Sequence, residues 1–380
     1  REVARQSIVL LKNEDKLLPL KKDIRTLAVI GPNADNGYNM LGDYTAPQAD
    51  GSVVTVLEGI RQKVSKDTRV LYAKGCAVRD SSRTGFADAI EAARSADVVV
   101  MVVGGSSARD FSSEYEETGA AKVSANRVSD MESGEGYDRA TLHLMGRQLE
   151  LLEEVRKLGK PMVLVLIKGR PLLMEGVIQE ADAILDAWYP GMQGGNAVAD
   201  VLFGDYNPAG RLTLSVPRSV GQLPVYYNTK RKGNRSRYIE EAGTPRYPFG
   251  YGLSYTMFSY IGMKVRVSEE SNHCRVDVSV TVRNQGTVDG DEVVQLYLRD
   301  EVGSFTTPDR QLRAFSRVRL KAGETREITF TLDKKSLALY MRDGEWAVEP
   351  GRFTVMAGGS SEDIACQQEF EINRKYTFKM

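Results

Sequence analysis

Asp97-Val98-Val99-Val100-Met101-Val102-Val103, closing on Gly104-Gly105, decides the fold of the first part of this chain. Six consecutive apolar residues leave no polar face for water, so the segment reads as a strand covered on both sides, as parallel sheets require. Working outward, Thr26-Leu27-Ala28-Val29-Ile30, Arg69-Val70-Leu71-Tyr72-Ala73, Lys160 to Ile167 and Ala183-Ile184-Leu185-Asp186-Ala187 carry similar strand signals. Phe86 to Ser95 reads as a helix with Phe86, Ile90 and Ala93 on one face. Strands alternating with helices predict an α/β layered domain with a mostly parallel sheet. In such sheets ligands collect beyond the carboxyl ends of the strands. The long stretch from Gly104 to Ser133 leaves one of those ends, and loops of that length are often functional.

From about Phe258 the period changes to two. Val276, Val278, Val280 and Val282 alternate with mostly polar neighbours, and Val294, Leu296 and Leu298, then Ile328, Phe330 and Leu332, then Phe353 and Val355, repeat the pattern. Asn284-Gln285-Gly286, Lys321-Ala322-Gly323-Glu324 and Glu349-Pro350-Gly351 supply turns between them. Short alternating strands with regular turns predict an all-β sandwich. The expected organisation is therefore an α/β domain over 1–215, an interdomain linker over 216–255, rich in Pro, Gly, Tyr and Lys/Arg, and a β-sandwich over 256–380. Within the linker, Lys230-Arg231-Lys232-Gly233-Asn234-Arg235 reads as a solvated basic run, and Tyr247 to Tyr255 as a clasp between domains.

Lys plus Arg equals Asp plus Glu at 51 each, so no charge excess argues for nucleic acid or an anionic membrane surface as partner. The longest apolar runs are strand-sized and too short to cross a bilayer as helices. Cys76, Cys274 and Cys366 form no disulfide framework, and His143 and His273 lie far apart without metal-ligand spacing. Gly104-Gly105 opens no dinucleotide fingerprint and reads as a tight strand exit, and Gly31-Pro32-Asn33 as a turn. No metal and no cofactor is expected.

Ser133-Gly134-Glu135-Gly136-Tyr137-Asp138-Arg139 places one acid between two glycines, just before a segment that reads as helical with Met145, Leu149, Leu152 and Val155 on one face. Asp138 is expected to cap that helix. Alone, such a motif describes a solvated loop acid. Its company changes the reading: Ala4 to Asn13 with Leu17-Leu18-Pro19-Leu20 opens the chain, Trp188-Tyr189-Pro190-Gly191-Met192-Gln193-Gly194-Gly195 and Val201 to Arg211 follow, and Tyr247-Pro248-Phe249-Gly250-Tyr251-Gly252-Leu253-Ser254-Tyr255-Thr256 comes later. Together, and over nearly the whole chain, these resemble the C-terminal part of family 3 glycoside hydrolases of the β-glucosidase type.

The resemblance implies that Glu135 is the general acid/base of a retaining, exo-acting glycosidase, that the sandwich is a fibronectin type III-like domain, and that the nucleophile lies in an N-terminal (β/α)8 barrel missing from this chain. It implies a β-linked oligosaccharide or glucoside as substrate and a periplasmic or extracellular setting. Leu41-Gly42-Asp43-Tyr44-Thr45-Ala46-Pro47 matches a segment where relatives place an aromatic at the outer sugar subsite, which assigns Tyr44 to substrate binding, against packing on its own domain. Glu114, Glu116, Glu117 and Glu132 are rival acids in the same loop, Glu132 foremost. A β-xylosidase or related exo-glycosidase is the enzymatic alternative, a non-catalytic carbohydrate-binding or scaffold module the alternative of another class, and a flavodoxin-like binder a remote third. Without its barrel the chain is expected to be inactive and to self-associate, as a homo-oligomer, through the uncovered face.

Overall fold

The computed structural model describes residues 1–46, 48–49, 51–108, 117–118, 130–230 and 238–379. The chain divides into two units, Arg1–Gly210 with Val216–Leu223, and Arg211–Ser215 with Pro224–Met380.

The first unit opens with α1 (Glu2–Ser7) and β1 (Val9–Asn13), then runs β2 (Thr26–Ile30), α2 (Val56–Lys63), β3 (Arg69–Ala73), α3 (Phe86–Arg94), β4 (Val98–Gly104), α4 (Gln148–Arg156), β5 (Met162–Ile167), β6 (Ala183–Trp188) and α5 (Gly194–Leu202). The six strands form one sheet in the order β1-β6-β5-β4-β2-β3. All pairings from β6 to β3 are parallel. β1 pairs antiparallel with β6 and closes that edge. The five strands read from the apolar runs are all present. β1 was not anticipated, because a five-residue antiparallel edge strand leaves no alternating stretch long enough to read.

The central strands β2 and β5 are buried at every position, while the edge strand β3 is half open, as a sheet covered on both faces demands. The helix predicted from Met145 starts only at Gln148. Its side chain is fully buried. Gln148 Oε1 accepts from the Gly104 amide at 2.9 Å, and its Nε2 donates to the Gly104 carbonyl at 2.9 Å, so the helix begins where it can hold the end of β4. Asp138 is exposed and ten residues upstream of that start, so it does not cap the helix.

The order of the strands fixes where the unit can bind something. From β2 the chain moves outward to β3, then returns to lay β4 on the other side of β2. The loops leaving β2 and β4 therefore diverge, and the crevice at such a reversal is the usual ligand position in open α/β sheets.

The second unit is all-β. β7 (Phe258–Glu269), β8 (Cys274–Asn284), β9 (Gly290–Asp300), β10 (Gln311–Leu320) and β11 (Thr325–Asp333) precede a single helical turn, α6 (Lys334–Leu337). β12 (Leu339–Tyr340), β13 (Trp346–Val348), β14 (Gly351–Gly358), β15 (Ile364–Ile372) and β16 (Tyr376–Phe378) complete it. The sheets are β10-β9-β14-β15 and β11-β8-β7, with β12-β13-β16 as a small third, and every pairing is antiparallel. The alternating valines of β8 are fully buried and meet Val294, Leu296, Leu298, Phe353 and Val355 in one core. This is the predicted sandwich.

Candidate active site

The exits of β2, β4 and β5 are tied by a buried amide network. Asn33, just past β2, donates through Nδ2 to the carbonyls of Gly105 at 3.0 Å and Ile167 at 3.3 Å. Its Oδ1 accepts from Asn39 Nδ2 at 2.7 Å, and Asn39 Oδ1 accepts from Ser106 Oγ at 2.7 Å. Buried amides are stable here because each finds a partner. Gly104 has φ +139°, and a Cβ there would lie 2.0 Å from the Ile167 carbonyl oxygen, so a tight strand exit requires glycine.

The carboxylate loop hangs from this rim. The amides of Glu132 and Ser133 both donate to the Ser106 carbonyl, at 2.8 and 3.3 Å. Ser133 Oγ lies 2.7 Å from the Tyr189 hydroxyl, and burial pushes that hydroxyl's titration up and keeps it protonated. Gly134 and Gly136 take φ of +110° and +81°, and Glu135 stands between them, exposed. Its amide donates to Asp43 Oδ2 at 2.8 Å, and its Oε2 accepts from the Tyr44 hydroxyl at 2.9 Å. Tyr44 is 83% exposed. The crevice thus brings together Glu135 from the β4–α4 connection and Tyr44 from the β2–α2 connection.

Glu132 has an entirely different environment. Its carboxylate is fully buried, with Arg139 Nη1 at 2.7 Å and Arg170 Nε at 3.6 Å from Oε2. Glu117 is exposed. Glu114 and Glu116 lie outside the described residues, as does most of the basic run after Lys230. Asp43, Arg170 and Tyr189 were not picked out as site residues from the sequence. Arg170, three residues past β5, was accessible to the rule that strand ends carry function. Lys168 Nζ sits 3.7 Å from the centroid of the Trp188 ring and 2.7 Å from Asp186 Oδ2 in a fully buried ion pair. Among the described residues, no group of three or more His, Cys, Asp or Glu could hold a metal ion, and no helix is long and apolar enough to cross a membrane.

The first unit is thus a mostly parallel α/β domain that holds an exposed loop carboxylate against an aromatic hydroxyl at its strand reversal. Residues 8–255 match the glycosyl hydrolase family 3 C-terminal domain, and residues 292–361 match the fibronectin type III-like domain. The chain belongs to glycoside hydrolase family 3. It is 41% identical over 371 residues to a β-xylosidase of Formosa agariphila, covering 95% of this chain and 48% of that protein. It is 40% identical over 402 residues to the periplasmic β-glucosidase of Salmonella typhimurium, covering 98% and 49%. Its structure matches a crystal structure of β-glucosidase from Listeria innocua in complex with glucose at a TM-score of 0.82 and 33% identity, covering 99% of this chain and 49% of the other. The chain thus spans about half the length of the relatives it matches.

Proposed function

We propose that this chain is the C-terminal part of a retaining, exo-acting β-glucosidase in which Glu135 is the general acid/base and Tyr44 lines the outer sugar subsite. The observation that carries the reading is the 2.9 Å hydrogen bond from Tyr44 to Glu135 at the strand reversal. It sets an exposed aromatic ring beside an exposed carboxylate, the pairing a sugar entering from a facing domain would meet. Retention needs a second carboxyl group about 5–5.5 Å from the first. Asp43 is the neighbouring acid, but its Oδ2 is engaged by the Glu135 amide, which makes it a loop staple. On the family likeness, the nucleophile is assigned to an N-terminal barrel. That carboxylate would attack the anomeric carbon as Glu135 gives its proton to the departing oxygen. Glu135, now ionised, would take a proton from the water that releases the sugar.

The likeness to a β-xylosidase keeps that activity as the second reading. A periplasmic setting follows the Salmonella relative. The face that a barrel would cover should make the chain alone self-associate in sedimentation.

The deciding experiment is hydrolysis of aryl β-glucoside and β-xyloside by this chain, alone and with a family 3 barrel supplied in trans, as wild type and Glu135→Gln. Complex formation is followed in the same samples. Activity is expected only in the wild-type mixture, with a loss of about 10²–10⁴ in the variant. Turnover by the chain alone would place a nucleophile within these residues. Silence of an assembled complex would favour an accessory module.

A further inference from the structure

We infer that Glu132 is a positioning residue that, through Arg139 and Arg170, fixes the direction in which Glu135 is presented. This rests on Glu135 being the acid/base. Glu132 is a fully buried carboxylate that uses one oxygen. Oε2 meets Arg139 and Arg170, while Oε1 has no hydrogen-bond partner among the described residues. Burying an ion with half its acceptors idle is costly, and an apolar residue would fill the space more cheaply if filling were all that mattered. The charge is needed for what it holds.

Both cations that Glu132 holds also grip the backbone of the Glu135 loop. Arg139 Nη2 donates to the His143 carbonyl, and Arg170 Nη2 donates to the Tyr137 carbonyl at 2.8 Å. Glu132 lies three residues before Glu135 and Arg139 four after, so their ion pair closes the loop into a ring around the acid. Arg170 anchors that ring to the segment leaving β5. The glycines on either side of Glu135 give the loop little stiffness of its own. The rim of the sheet has left room for the clamp. A Cβ on Gly105 would fall 1.9 Å from Glu132 Oε1, so the carboxylate occupies the place where a side chain at 105 would begin.

The test uses the whole 380-residue chain as wild type, Glu132→Gln, Glu132→Asp and Arg170→Lys. Amide hydrogen exchange is read over 133–143, with peptides from β4 and β5 as the folding control. Loss of the clamp should speed exchange in 133–143 by about tenfold or more while the strands stay protected. Wild-type exchange in the loop of a folded Glu132→Gln overturns the inference. If that variant unfolds, Arg170→Lys decides by the same criterion, since it keeps the charge and loses the bond to the Tyr137 carbonyl.

Complexes with a barrel give the second reading, on a phenyl and a dinitrophenyl β-glucoside. The dinitrophenolate leaves without a proton, so misplacing the acid should lower kcat on the phenyl substrate about tenfold more than on the other, with KM little changed. Glu132→Asp should fall between wild type and Glu132→Gln. If Glu135→Gln separates the two substrates and Glu132→Gln does not, positioning is wrong. If Glu135→Gln fails to separate them, the acid/base assignment falls, while the exchange result still judges the clamp.

Discussion

Each unit buries a glutamate against an arginine, and the two are satisfied differently. In the sandwich, Glu292 on β9 is saturated: Oε2 accepts from Arg211 Nη2 at 2.8 Å and Oε1 from the Tyr260 hydroxyl at 2.8 Å. Burial first, and the adjacent carboxylate second, push the Tyr260 hydroxyl far up, so it remains a donor. Glu292 joins β9, β7 and the strand-free segment at Arg211, three pieces distant in sequence. In the α/β unit, Glu132 is just as buried but, among the described residues, uses one oxygen, and its partners serve one short loop. A buried charge with every acceptor filled is a joint in the fold. One left partly filled, at a strand reversal, is where stability has given way to placement.

Four experiments sharpen or break that contrast. The largest effect is expected from Glu292→Ala, which removes the buried carboxylate that accepts from both Arg211 and the Tyr260 hydroxyl. Calorimetry should show the sandwich destabilised by about 3–5 kcal/mol with the other unit unchanged. A loss as small as that of a surface change would remove the distinction. Glu132→Gln should cost less, about 1–3 kcal/mol, because the isosteric amide opens no cavity and what is lost is the charge in its hydrogen bond with Arg139. Equal costs at the two sites would mean that both glutamates are structural joints.

Acid should act on the first unit through Asp200. Its carboxylate is raised by desolvation, but hydrogen bonds from Arg1 Nε and Lys63 Nζ, each 2.6 Å, outweigh that and hold it below the usual range. A depressed folded-state value makes the contribution complete above the unfolded value, about pH 3.9, and lost as pH falls through the lower folded value. Thermal scans of Asp200→Asn should therefore match wild type in strong acid and fall below it near neutrality. The smallest stability effect belongs to Tyr44→Phe, at an exposed position, within about 0.5 kcal/mol. In a barrel complex the same change should lower turnover roughly fivefold by removing the hydroxyl that donates to Glu135 Oε2. Unaltered turnover would reduce Tyr44 to a loop residue.

The scaffold was readable where burial is uniform or strictly periodic. Val98 to Val103 could only be a covered strand, and Val276 to Val282 only one face of a sandwich. β1 escaped because Val9 to Asn13 is too short to show a period and pairs with a strand 170 residues later in a direction no local pattern records. The helix was placed too early because Met145 keeps the spacing of its face, while the start is set by Gln148 reaching back to Gly104. Glu132 was visible only as a rival acid. Nothing in its neighbours tells that it turns inward, since that depends on Arg170 arriving from another strand end and on Gly105 vacating the space.

That last arrangement has a consequence for anyone diversifying this loop. Positions 105 and 132 draw on a single volume, so they behave as one locus. A library at 105 alone would reject nearly every side chain, and the result would be misread as a demand on the backbone. A library at 132 alone would sample only what the absent side chain permits. Only paired variation can move a carboxylate from one wall of that space to the other, which makes the two codons epistatic across a gap of 27 residues.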